Sequence, residues 1–209
     1  MEILPKPFYL ASDVQQIAQN LLGKILWTNF ENQVSYGRIV ETEAYQAPED
    51  KASHAYNWKK TKRTQTMFLE GGHSYIYLCY GIHHLFNVVT GPENLPHAVL
   101  IRGLEPVKGL PFMAARTNKS EFSTSLSNGP GSLSKALGIS TKHDATKLYE
   151  PKSLICIKED GFQVAKSEII AGPRVGIAYA EDYISKPWRY FIKGNPWVSN
   201  KDGIKSITQ

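Results

Sequence analysis

The residues best suited to chemistry lie in VETEAYQAPEDKASHAY, residues 40–56, where carboxylates, a histidine and tyrosines crowd together. Glu41 and Glu43 continue an extended run that begins at Val34. Side chains alternate along a strand, so the two carboxylates project to the same side. On the wall of a pocket, such a pair could do acid–base work, because neighbouring carboxylates push each other's proton affinities apart. On a solvent-facing edge they would only be hydrated, and strand parity does not choose between these readings. The following PEDK reads as a solvated loop. His54, beyond the turn at Pro48, is either a hydrogen-bonded structural group or a participant. With His73, His83 and His84 it raises the question of a metal, but no HxxxH or HExxH spacing occurs. His83 and His84 also point to opposite faces of a strand, so neither a metal nor a cofactor is expected.

Two further stretches carry candidate functions. KKTKR supplies Lys59, Lys60, Lys62 and Arg63, either as a solvated charge run or as contacts to phosphates. In YIYLCYGIHHLFN, Tyr75 and Tyr77 share a face and Tyr80 sits beside Gly81 at a hairpin tip, as packing residues or as a wedge. Aromatics interleaved with cations are what stacking on nucleobases requires. SNGPGSL places glycines before a helix, as a phosphate-cradling loop does, but lacks the GK[ST] ending of a nucleotide-binding loop.

The elements that must hold these residues follow from periodicity and punctuation. Residues 12–23 predict a helix with Ser12 as N-cap and Val14, Ile17, Ala18, Leu21 and Leu22 on one face. Strands are predicted at 24–30 and 34–45, as a hairpin at 74–80 and 83–90, at 97–106 where Pro106 closes the run, and at 153–158 and 173–179. Short helices are predicted at 111–116 and within 127–138. Strands joined by short turns argue for an α+β fold on a curved, largely antiparallel sheet with surrounding helices. With 209 residues, 42% of them apolar, and no linker or repeat, one domain over 1–209 is expected.

Bulk properties narrow the class. Cys79 and Cys156 form no CxxC pair, so no disulfide framework or cysteine-rich cluster is indicated. No apolar run reaches a membrane-spanning length, and MEILPKPFYLASDV lacks the regions of a signal peptide. An intracellular protein is expected, cytoplasmic and nucleoid-associated if bacterial. The net charge of +5 suits a polyanionic partner.

Together these segments resemble the alkyladenine, or methylpurine, DNA glycosylase family in its compact bacterial form. The resemblance runs through PFY…LLGK, GRIVETEAYQAPEDKASHA, GGHSYIYLCYGIHHLFNVV, AVLIRGLEP, SNGPGSLSKALGI and RVGIAYAEDYISKPWRYFIKGNPWVS. It implies a monomeric base-excision-repair enzyme without cofactor. Acting on double-stranded DNA, the enzyme flips a damaged purine out of the duplex and hydrolyses its N-glycosidic bond. By this likeness Glu43 is the general base, Arg102 helps hold the attacking water, and Val175 contributes a backbone carbonyl. Tyr45 and Tyr77 stack on the base with help from His54, Asn87 obstructs normal guanine, and Tyr80 fills the gap in the duplex. No lysine stands at a nucleophile position in the matched motif, which implies plain hydrolysis without strand cleavage. Two other readings compete with it: a non-catalytic nucleic-acid or lesion-binding module, and a metal-dependent nuclease built on Glu41, Glu43 and the histidines.

Overall fold

The computed structural model describes residues 1–199; positions 200–209 of the expected domain lie outside the described residues. In chain order the regular elements are β1 (Glu2–Ile3), α1 (Val14–Asn20), β2 (Ile25–Phe30), β3 (Gln33–Gln46), β4 (Ser74–Cys79), β5 (His83–Thr90) and β6 (His97–Lys108). They continue with α2 (Leu110–Thr117), α3 (Pro130–Leu137), β7 (Ile155–Glu159), β8 (Ile169–Gly172) and β9 (Arg189–Ile192). All strand pairings among them are antiparallel, in the order β1-β7-β2-β3-β6-β5-β4, with β9 joining β3 and β8 to β9. The fold is α+β, as expected.

Local chemistry explains most of the elements. α1 buries Val14, Ile17 and Ala18, but its cap is Asp13, whose carboxylate accepts from the Gln16 amide at 2.9 Å, rather than Ser12. Glu31 and Asn32, both in the left-handed region, close the β2–β3 hairpin. Strand β6 passes through Pro106 to Lys108 instead of stopping there. The register with β3 shifts between Tyr36 and Gly37, and Pro106 sits at this irregularity, where a missing N–H is tolerated. Residues 173–179 form no strand; they make a loop that packs against the chain near Tyr45. The main core lies between the sheet and the helices, with Leu26, Ile39, Phe86, Val99 and Leu104 packed under Ile17, Leu21, Leu133 and Leu137.

The branching of β3 matters most for the site. Near its end, Glu41–Glu43 pair with β6 on one side and with Phe191, Tyr190 and Arg189 of β9 on the other. This stretch is therefore interior to the sheet, and both carboxylates are 0% exposed. A solvent-facing edge is overturned.

Candidate active site

Two bulges bring the charged groups together. Between Leu104 and Ile101 of β6, the β3 partners run Ile39, Glu41, Thr42, which leaves Val40 and Arg102 without direct partners. A bulge bends the strand and re-aims side chains, and here it turns Arg102 towards the carboxylates. Gly103 permits the close approach, because a Cβ there would come within 2.8 Å of the Trp197 carbonyl oxygen.

Glu41 is fully bound from behind. Its carboxylate accepts from Arg102 Nε at 3.2 Å, Arg189 Nη1 at 3.4 Å, the Ser199 amide at 2.7 Å and the Ser199 hydroxyl at 2.8 Å. Glu43 accepts from the Val175 amide at 2.7 Å and the Tyr45 hydroxyl at 2.8 Å, and Arg102 Nη1 lies 3.4 Å away. Val175 holds this carboxylate through its N–H. Burial, then the charge of Glu43, pushes the Tyr45 hydroxyl well above its ordinary pKa, so it stays protonated and donates. Burial works against the charge of Arg102, but Glu43 and Glu41 outweigh it and hold its pKa above the ordinary value.

In front of this charged wall lies a cavity of about 380 Å³. Of the expected site residues, Tyr45, His54, Arg63, Tyr77, Tyr80, Asn87, Arg102 and Val175 line it, together with Tyr75. Glu43 stands immediately behind that lining, covered by Tyr45, Arg102 and Val175. The His54 ring meets Tyr77 edge-on at 4.5 Å, and Tyr75 lies 5.5 Å from Tyr77. The Asn87 Nδ2 donates to the carbonyls of Tyr75 and Leu85 at 3.0 and 3.3 Å. Carbonyls only accept, so the NH2 group is fixed inside the hairpin and Oδ1 is the atom left for other contacts. At the tip Tyr80 is 91% exposed and has a positive φ of 50°, uncommon for a bulky residue.

Lys59, Lys60 and Lys62 are exposed beside the cavity without lining it. Among the described residues no three His, Cys, Asp or Glu side chains gather as a metal cluster. Two of the histidines have partners of their own: His73 Nδ1 meets the Glu70 carbonyl at 2.8 Å, and His84 Nδ1 accepts from the Thr141 amide at 3.3 Å. A nuclease centre joining them to Glu41 and Glu43 has no geometric basis among these residues.

One member was missed in the sequence. Asp50, within the supposedly solvated PEDK, is 0% exposed. It binds Arg174 through two hydrogen bonds of 2.5 and 2.8 Å, and the guanidinium stacks 4.7 Å from the Tyr45 ring and 5.0 Å from that of Trp188. The pair thus braces the aromatic ring that caps Glu43.

Comparison with known proteins matches residues 8–196 to the methylpurine-DNA glycosylase family. The chain belongs to that family. It is 46% identical over 191 residues to a protein of Chlamydia pneumoniae provisionally named 3-methyladenine DNA glycosylase, covering 91% of this chain and 95% of the relative. A similarly named protein of Bacillus cereus strain B4264 is 41% identical over 201 residues, covering 93% and 98% of the two chains. A methylpurine-DNA glycosylase assignment agrees with a carboxylate set behind an aromatic cavity. No described helix is long and apolar enough to cross a membrane.

Proposed function

We propose that this protein is a monofunctional DNA N-glycosylase for damaged purines, of the 3-methyladenine, 7-methylguanine, hypoxanthine and ethenoadenine class. It acts as a single-domain monomer on duplex DNA and leaves an abasic site. The observation that carries this reading is the fully buried Glu43 carboxylate, held by Arg102, the Val175 amide and the Tyr45 hydroxyl behind an aromatic cavity of about 380 Å³. That volume falls within the range of small-molecule sites, about 300–1,000 Å³.

The target base must leave the stack before its sugar carbon can be reached. Tyr80 supplies the wedge that fills the vacated space, and Lys59, Lys60 and Lys62 hold flanking phosphates. Tyr45, Tyr77 and His54 enclose the everted purine. Asn87, fixed inside the hairpin, stands where the amino group of normal guanine would collide, so it rejects by obstruction.

As the C1′–N9 bond breaks, the sugar acquires oxocarbenium character, and a negative group in a water-poor site stabilises it. Glu43 takes a proton from water as the oxygen bonds to C1′. A carboxylate has about four lone-pair sites, so Glu43 can accept a water beside the donors it already has.

Incubation with alkylated duplex DNA and with hypoxanthine-containing duplex, followed by chromatography of the freed bases, tests the reading. Free damaged purines, released in the presence of a strong chelator, are expected. Strand breaks that arise without alkali or heat, or lesion binding without any base release, contradict it.

A further inference from the structure

Arg63 differs from the lysines of its own basic run. It lines the cavity, with its guanidinium carbon 4.9 Å from the Tyr77 ring centre and Nη2 3.4 Å from His54 Nε2. A guanidinium has only donors, so Nε2 must accept and the ring proton sits on Nδ1. Nδ1 then donates to the Tyr75 hydroxyl at 2.9 Å. Burial, then the charges of Arg63 and Lys59, lowers His54 to about 4, so the ring is neutral near pH 7.

The cation on this wall is therefore Arg63. Among the described residues no carboxylate lies within ion-pair distance of it. The other two guanidiniums near the base site are compensated, Arg102 by Glu41 and Glu43, and Arg174 by Asp50. An unpaired cation beside a stacking ring is a poor neighbour for a cationic base and a good one for a base that turns negative.

We propose that Arg63 is a leaving-group and specificity residue, whose guanidinium meets the negative charge of a departing neutral purine and tilts excision towards neutral lesions over cationic alkylpurines. The inference rests on the cavity being the base site. For a neutral purine such as hypoxanthine, C1′–N9 cleavage sends the bonding pair to N9, and the base departs as an anion spread over its ring. Water adds its oxygen to C1′ and gives a proton to Glu43, which passes it to solvent, and the purine anion takes a proton from solvent. For 7-methylguanine the same bond breaks, but the base starts as a cation and leaves neutral. It gains nothing from Arg63 and meets like-charge repulsion on entry. A preorganised donor at a developing anion is worth about 10²–10³ in rate where it has been removed. Arg63 is exposed at the rim, so about tenfold to a hundredfold is expected here.

The test uses two duplexes of one sequence, carrying hypoxanthine or 7-methylguanine, with single-turnover release and salt-dependent binding measured for wild type, Arg63→Gln and Arg63→Lys. Arg63→Gln is expected to slow hypoxanthine release about tenfold to a hundredfold, with 7-methylguanine release unchanged or faster and the salt slope of binding unchanged. Arg63→Lys, which keeps the charge but not the planar stack, is expected to fall between. Equal losses on both lesions with a salt slope smaller by about one would make Arg63 a phosphate contact and overturn the proposal. So would unchanged rates in both variants, or a wild type that releases 7-methylguanine but no hypoxanthine. A wild type that releases neither base would instead sink the glycosylase reading beneath it.

Discussion

At the inner wall of the cavity, Glu41, Glu43 and Asp50 are fully buried, and amides, hydroxyls or guanidiniums of Arg102, Arg174 and Arg189 bind all three. At the rim, Tyr80 and Ile82 are 91% and 72% exposed, and Lys59, Lys60 and Lys62 face solvent. Glu41 and Glu43 sit on a strand flanked on both sides by others, and Asp50 in the buried turn that follows it, where an unpaired charge would be costly to bury. The rim groups sit on a hairpin tip and a loop, where the fold asks almost nothing of them. The inner wall is therefore expected to couple chemistry to stability, and the rim to act on the DNA and the base without carrying the fold.

Asp50→Ala should strain that division most. It strands Arg174 in the interior, and breaking a buried pair costs about 3–5 kcal/mol. Urea unfolding should show the midpoint fall accordingly; a loss under about 0.5 kcal/mol, the size of an ordinary surface change, would erase the distinction. At the rim, Tyr80→Ala should leave the unfolding midpoint unchanged within that margin. Its excision of a lesion from duplex should fall about tenfold to a hundredfold, because filling the gap offsets an unstacking cost of a few kcal/mol. If Tyr80→Ala destabilised the protein as Asp50→Ala does, the tip would be part of the core.

Alanine at Lys59, Lys60 and Lys62 should have a milder effect. Each phosphate that a lysine no longer neutralises lowers the salt slope of binding by about one, and the preference among lesions should not move. A further effect is expected from pH. His54 is lowered to about 4 in the folded chain, against about 6.5 when unfolded. The unfolded chain thus binds more protons between these values, so the contribution of His54 is full above about pH 6.5 and is lost as pH falls towards 4. His54→Gln should flatten the decline of the unfolding midpoint over that window, and an unchanged slope would remove His54 from the explanation.

How legible these regions were in the sequence follows from the range of the interactions that set them. The hairpin at Tyr80 and the β2–β3 turn are local, and residue types alone foretold them. Glu41 and Glu43 were visible as candidates through strand parity, but their burial depends on β9, whose four residues, RYFI, lie far along the chain in a run too short to announce a partner for β3. The same distance hid Asp50. Nothing in PEDK distinguishes it from a hydrated loop until Arg174 arrives from a segment that the β-branched residues of PRVGIAY had suggested was a strand. A bend at Gly176, whose φ is +78°, and the demand to cover Tyr45 override that propensity. Resemblance to a known family selected Glu43 over Glu41; in the structure Glu41 is bound by Arg189 and Ser199 at the back, while Glu43 meets Tyr45 and Val175 at the cavity.

Replacing one oxygen at the inner wall tests the central claim most directly. In Glu43→Gln, Arg102 keeps its partner Glu41, so the fold and the cavity should persist. Binding to lesion-bearing duplex is expected near the wild-type level, while single-turnover release of the base falls about 10²–10⁴-fold. Release at close to the wild-type rate, with binding intact, would mean that some other group activates the water and that Glu43 is only structural.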